Sequence, residues 1–243
     1  MKHNHSSEFN IFNAVPVAAS LLLLITVLLG SGITCGAGQA KPVVVIAAAP
    51  PNSYLGELEG LINNAGDVYE HAKSNRWKHT GNRLIAIRKA VQSRLITAND
   101  INPNLLQRLM EATSELEQAV AAQHRLDSMI FANRIMIIGA KMAAPFNPRI
   151  PANVAVIGYC ARKLEILSET PLIENKMSEI VYKIHLSWQP LIPQVIEHGG
   201  SKEIKKFAEI MKRLEGARSP EEYARQASSI LEEVTVLEQI FLK

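Results

Sequence analysis

Cysteine is almost missing from this 243-residue chain, which holds only Cys35 and Cys160. If the chain is cut after Ala40, Cys160 stands alone, no internal disulfide forms, and stability must come from a packed core. Aromatic residues make up 5%, and strand-like alternation is nowhere sustained, so packed helices are expected over sheets. Several chemistries are missing as well. There is no Cys-x-x-Cys-His for covalent haem, no His-x-x-x-His, and no His with Glu three residues before it, which removes the Glu-x-x-His pair of di-iron bundles. No phosphate-cradling glycine loop, Gly-x-Ser-x-Gly elbow or EF-hand calcium loop occurs. A net charge of +3 with few aromatics gives no reason to expect a nucleic-acid partner.

Charge is also missing from Phe9 to Ala40, and the densest apolar run there is Ala14 to Leu29. As a helix that run spans about 24 Å, between the length of a signal-peptide core and that of a bilayer span. Three outcomes stay open. Gly38-Gln39-Ala40 fits the small-x-small rule for cleavage of a secretory signal, which is favoured. The segment can instead stay as an N-terminal anchor, although only Lys2 and Lys41 flank it. Cys35 resembles the cysteine of a bacterial lipobox, a candidate lipidation site, but Gly32 and Thr34 depart from the pattern. Residues 1–40 are thus assigned to a signal peptide or anchor, 41–52 to a Pro/Ala-rich tether, and 53–243 to one helical domain.

Within that domain, apolar residues recur at helical spacing. Tyr54, Leu58, Leu61, Ala65, Val68 and Ala72 mark a first helix to about Lys73, interrupted by Gly56, Gly60 and Gly66. Asn75 is read as the cap of a second helix carrying Trp77, Leu84, Ile87 and Val91. Residues 104–144 contain no proline and would span about 60 Å unbroken; whether they form one helix is left open. Met129 to Ala140 is apolar almost all round, as a helix buried on every side would be. Ile157, Cys160, Leu164 and Leu167 mark a fourth helix. Thr170-Pro171 opens a fifth that Pro190 and Pro193 should kink or end, and a sixth runs from Ser201 to Gly216. Ser219-Pro-Glu-Glu222 reads as a capping box before a seventh, whose Tyr223, Ala227, Ile230, Val234, Leu237 and Phe241 form a strict seam. That seam wants a partner helix, within the same bundle or across a homodimer through 220–242. The expected fold is all-α, a single up-and-down bundle of about seven helices after the export or anchor segment.

Candidate functional residues are few. Lys73, Arg76, Lys78, Arg83, Arg88, Lys89 and Arg94 form a basic stretch without an acid. It suits an anionic membrane surface, an acidic polymer or an acidic envelope protein, or else is balanced by acids of neighbouring helices. Asn133 and Arg134 sit inside the apolar helix, where a guanidinium needs a carboxylate. Asp127, Glu165 and Glu169 are the candidate acids, with a bound carboxylate or phosphate ligand as the sharper alternative. Met129, Met136, Met177 and His185 are weak candidates for copper, against ordinary core packing. His124 and Asp127 make at most a half-site, and Cys160 reads as a buried thiol.

No cofactor is predicted, and an enzyme is disfavoured because no acid–base or nucleophile set converges. The expected function is that of an exported, non-enzymatic binding or scaffolding component of the bacterial envelope; a periplasmic metal or small-ligand carrier is the alternative. Intact-mass measurement on protein from a bacterial host separates the three N-terminal outcomes. A soluble species beginning at Lys41 is expected, whereas an acylated start at Cys35 or an uncut membrane species selects one of the others.

Overall fold

The computed structural model describes residues 51–93, 96, 102–170 and 174–243. The expectations for residues 1–40, Cys35, residues 41–50 of the tether, Arg94 and Pro171 lie outside them. Nine α-helices occur among the described residues: α1 (Pro51–Lys73), α2 (Trp77–Val91), α3 (Pro103–Ala121), α4 (Arg125–Ala143), α5 (Ala152–Ser168), α6 (Glu174–Trp188), α7 (Leu191–Glu197), α8 (Ser201–Glu215) and α9 (Pro220–Leu242). No strand occurs among those residues. The chain is an all-α bundle, with two more helices than the spacing predicts.

Both extra helices come from breaks. Residues 104–144 divide at Ala122–His124, where Gln123 takes a left-handed conformation (φ 53°) without being glycine. The chain reverses there, and α3 and α4 lie against each other instead of end to end. The expected fifth helix divides at Gln189-Pro190, because proline removes a helical N–H and crowds the preceding turn. Asn75 also departs from its expected role. With φ 54° it ends α1, and Arg76 stands at the N-cap of α2 with no side-chain cap. The capping box of α9 forms as expected: Glu222 N–H donates to Ser219 Oγ, and Ser219 N–H to Glu222 Oε2, each at 3.3 Å.

Two hydrophobic cores organise the helices. The first lies among α1 to α4, around Leu58, Leu61, Ile87, Leu109, Met129 and Ile135. The second lies among α5 to α9, around Ile157, Leu164, Phe207, Ile230 and Leu237, with Trp188 stacked on Phe207 at 4.0 Å. Helix α4 is central: it packs on α1, α3 and α5 and buries residues on nearly every side. It meets α1 tightly at Gly139, where an added Cβ would lie 2.8 Å from Ile62 Cγ1. The glycines of α1 contribute less to packing, since Gly56 and Gly60 have no neighbour within 4 Å of such a Cβ. The apolar seam of α9 is covered by α5 of the same chain. The partner helix that the seam calls for is therefore present within the chain.

Between the two cores lies a polar seam. Glu165 of α5 is buried and accepts hydrogen bonds from Tyr69 Oη and Lys73 Nζ of α1, each at 2.5 Å. Burial, reinforced by the Glu165 charge, holds the Tyr69 phenol far above its ordinary pKa, so it acts as a proton-bearing donor. Arg162 lies over the Tyr69 ring, 5.6 Å from its centroid. Arg125 of α4 pairs with Glu169 at the end of α5, and Asn133 Nδ2 donates to the Tyr159 carbonyl at 3.0 Å. A Glu165→Leu change leaves the Tyr69 hydroxyl only the long bond to the Arg162 carbonyl, at 3.5 Å, and should cost about 2–3 kcal/mol in urea unfolding. Adding Tyr69→Phe should recover up to about 1 kcal/mol of that, because the poorly satisfied donor is then gone as well.

Candidate functional site

Helix α2 presents its apolar side inward through Thr80, Leu84, Ile87 and Val91. That fixes what points outward. Lys78, Asn82, Ile85, Lys89 and Gln92 follow one another at spacings of 4, 3, 4 and 3 and are all exposed. Ile85 is 66% exposed, the most of the large apolar residues left on the surface.

The basic stretch divides into two sets. Lys73 pairs with Glu165, Arg83 with Asp67 at 2.9 Å, and Arg88 with Glu117 at 2.7 Å. These are the neutralised charges, and Lys73 belongs to the polar seam. Arg76, Lys78 and Lys89 have no carboxylate partner among the described residues. Asp67 turns Arg83 onto α1, and Arg76 precedes the helix. What α2 displays is two lysines flanking an isoleucine.

Arg134 is not met by Asp127, Glu165 or Glu169. Its Nη1 donates to Glu115 Oε2 of α3 at 2.8 Å, and its guanidinium lies 5.4 Å from the Phe131 ring centroid. With 23% of its side chain exposed, it reaches the edge of the bundle rather than an internal cavity. Asn133 is buried and bound to α5 through Nδ2, while its Oδ1 makes no hydrogen bond. The residues that actually carry the interior polar contact, Tyr69 and Glu165, gave only a weak signal: an acid on the inward side of an apolar helix.

The sulfur and imidazole candidates are scattered. Met129 and Met136 lie in the first core, Met177 in the second, and His185 is exposed, with Gln189 and Glu215 nearby. His124 Nδ1 lies 3.5 Å from Asp127 Oδ2 at the exposed start of α4. No group of three His, Cys, Asp or Glu residues able to hold a metal occurs among the described residues. Cys160 is buried, and burial pushes its thiol up to about 11, which makes it an inert core residue at neutral pH. His185 lines an open groove of about 420 Å³ between α6 and the α8–α9 turn. No protein-family model, curated protein or solved structure matches the chain.

One further cluster adjoins the basic face. His71 and His79 face each other across the α1–α2 hairpin, with ring centroids 5.4 Å apart, and His71 Nδ1 is buried without a hydrogen bond. Burial lowers the His71 pKa, and Arg76, His79 and Arg83 push the same way against Asp67. Lowered folded basicity means that the unfolded chain takes up the proton first. The cost is absent above about pH 6.5 and grows as pH falls toward the lowered folded value. Urea unfolding between pH 7.5 and 5 should therefore show a steeper loss of stability in the unmodified chain than in His71→Gln.

Proposed function

We propose that the chain is an exported, non-enzymatic binding component of the bacterial envelope, and that the outer face of α2 rests on an anionic membrane surface. The supporting observation is the line Lys78–Ile85–Lys89: two cations without carboxylate partners among the described residues, on either side of a protruding apolar side chain. Lysines on such a face are drawn to anionic headgroups, while an isoleucine between them can enter the headgroup boundary. An acidic protein would satisfy the lysines only with an apolar pocket placed between its acids for Ile85. The uncharged, apolar stretch before Lys41 supports the same compartment.

The test reads the face itself. An environment-sensitive fluorophore is placed on Ile85→Cys in the full chain carrying Cys35→Ser; Cys160 is buried and does not compete for label. Emission should shift to the blue with vesicles rich in phosphatidylglycerol but not with phosphatidylcholine alone. The shift should be lost at 0.5 M salt, or in Lys78→Glu/Lys89→Glu, as expected for surface charges beyond the screening length. Equal emission with both lipids removes the proposal. A shift produced only by an acidic protein from the envelope transfers the face to a protein partner.

A further inference from the structure

A second surface, separate from α2, has the makings of a small-molecule site. The groove between α6 and the α8–α9 turn is walled by Val181, Tyr182, Leu214 and Tyr223. Its volume of about 420 Å³ lies in the range that small ligands occupy. Tyr182 is 62% exposed, and Leu186, one turn further along α6, is 52% exposed. A single exposed apolar residue is ordinary, but Tyr182 lines a groove that also carries a cation.

That cation is Arg218. Its Nη1 donates to the carbonyls of Glu215 and Ala217, at 3.0 and 2.8 Å, and so is anchored on the C-terminal end of α8. Its Nε and Nη2 make no hydrogen bond among the described residues. Held along one edge, the guanidinium keeps donors free for a planar, two-oxygen acceptor. Two other ionisable groups share the groove. Glu215 Oε1 lies 4.0 Å from His185 Nδ1, so these two face each other. Glu215 opposes any anion on Arg218, a doubly charged one such as phosphate most strongly. We propose that this groove binds a small monocarboxylic acid with an apolar body, its carboxylate on Arg218 and its body between Tyr182 and Tyr223.

The probe is 4-phenylbutyrate, titrated into the full chain labelled with 3-fluorotyrosine. The fluorine resonances are assigned with Tyr182→Phe and Tyr223→Phe. Both resonances should move saturably with phenylbutyrate. The alcohol of the same skeleton should bind at least about tenfold more weakly, as should Arg218→Gln, because a charge-assisted hydrogen bond is lost in each case. Arg218 also ties down the end of α8, so Tyr182→Ala, on an exposed position, gives a second test that leaves that anchor alone and should weaken binding as well. No saturable shift, equal affinity for acid and alcohol, or affinity unchanged by both variants overturns the proposal. A peptide ending in phenylalanine that binds more tightly than the free acid overturns it in favour of a protein C-terminus. None of these outcomes touches the α2 face.

Discussion

A carboxylate taken out of water must be met by donors, and Glu165 is met from another helix. Its two oxygens receive Tyr69 and Lys73 of α1, so the acid on α5 is satisfied only when α1 lies beside it. The apolar contacts of the two cores are non-directional and tolerate sliding, whereas hydrogen bonds to a buried acid do not. The pairings of Arg125 with Glu169 and of Asn133 with the Tyr159 carbonyl follow the same line between α4 and α5. Polar groups thus add directional contacts between the halves to the apolar packing that Ile166 of α5 makes with the first core. Glu233 of α9 shows how demanding such burial is. It is fully buried, its oxygens lack hydrogen bonds of good geometry, and its compensation is the ion pair with Lys206 at 2.6 Å.

Local features were legible in the sequence because their causes are local. The α9 capping box, the stop after Glu215, the break at Pro190 and the inward faces of α1, α2 and α9 all rest on residues within a few positions of one another. The apolar girth of α4 was legible for a different reason: a helix without a polar face has nowhere to go but inside. The reversal at Gln123 was not legible, because no glycine or proline marks Ala122-Gln-His124. Packing of α3 on α4 stabilises a left-handed residue that local preference would avoid. The partners of Arg134 and Glu165 were equally hidden. Ion pairs between helices depend on which faces meet and at what height, and periodicity along one helix is silent on both.

The basic face shows a similar division. Composition alone gathers seven cations into one stretch, but folding spends several of them on structure. Asp67 and Glu117 come from helices flanking α2, and Glu165 from the far half of the chain. Burial of Leu84 and Ile87 then turns Lys78, Ile85 and Lys89 together toward solvent. The groove beside α6 is built on the opposite principle. There one guanidinium is held by backbone carbonyls at a helix end, between the tyrosine walls and the facing Glu215 and His185.

The line between the cores has a consequence for how the molecule opens. The connector from α4 to α5 is a short 3-10 turn, Ala144–Phe146, followed by Pro148 and Pro151, and it resists being drawn into either helix. Parting the halves would strand Glu165 and pull Ile166 of α5 out of the first core. The described helices form one compact unit, so opening of one core is coupled to the other through these contacts. The polar line is thus a clasp between the cores, and it closes only when α1 lies beside α5.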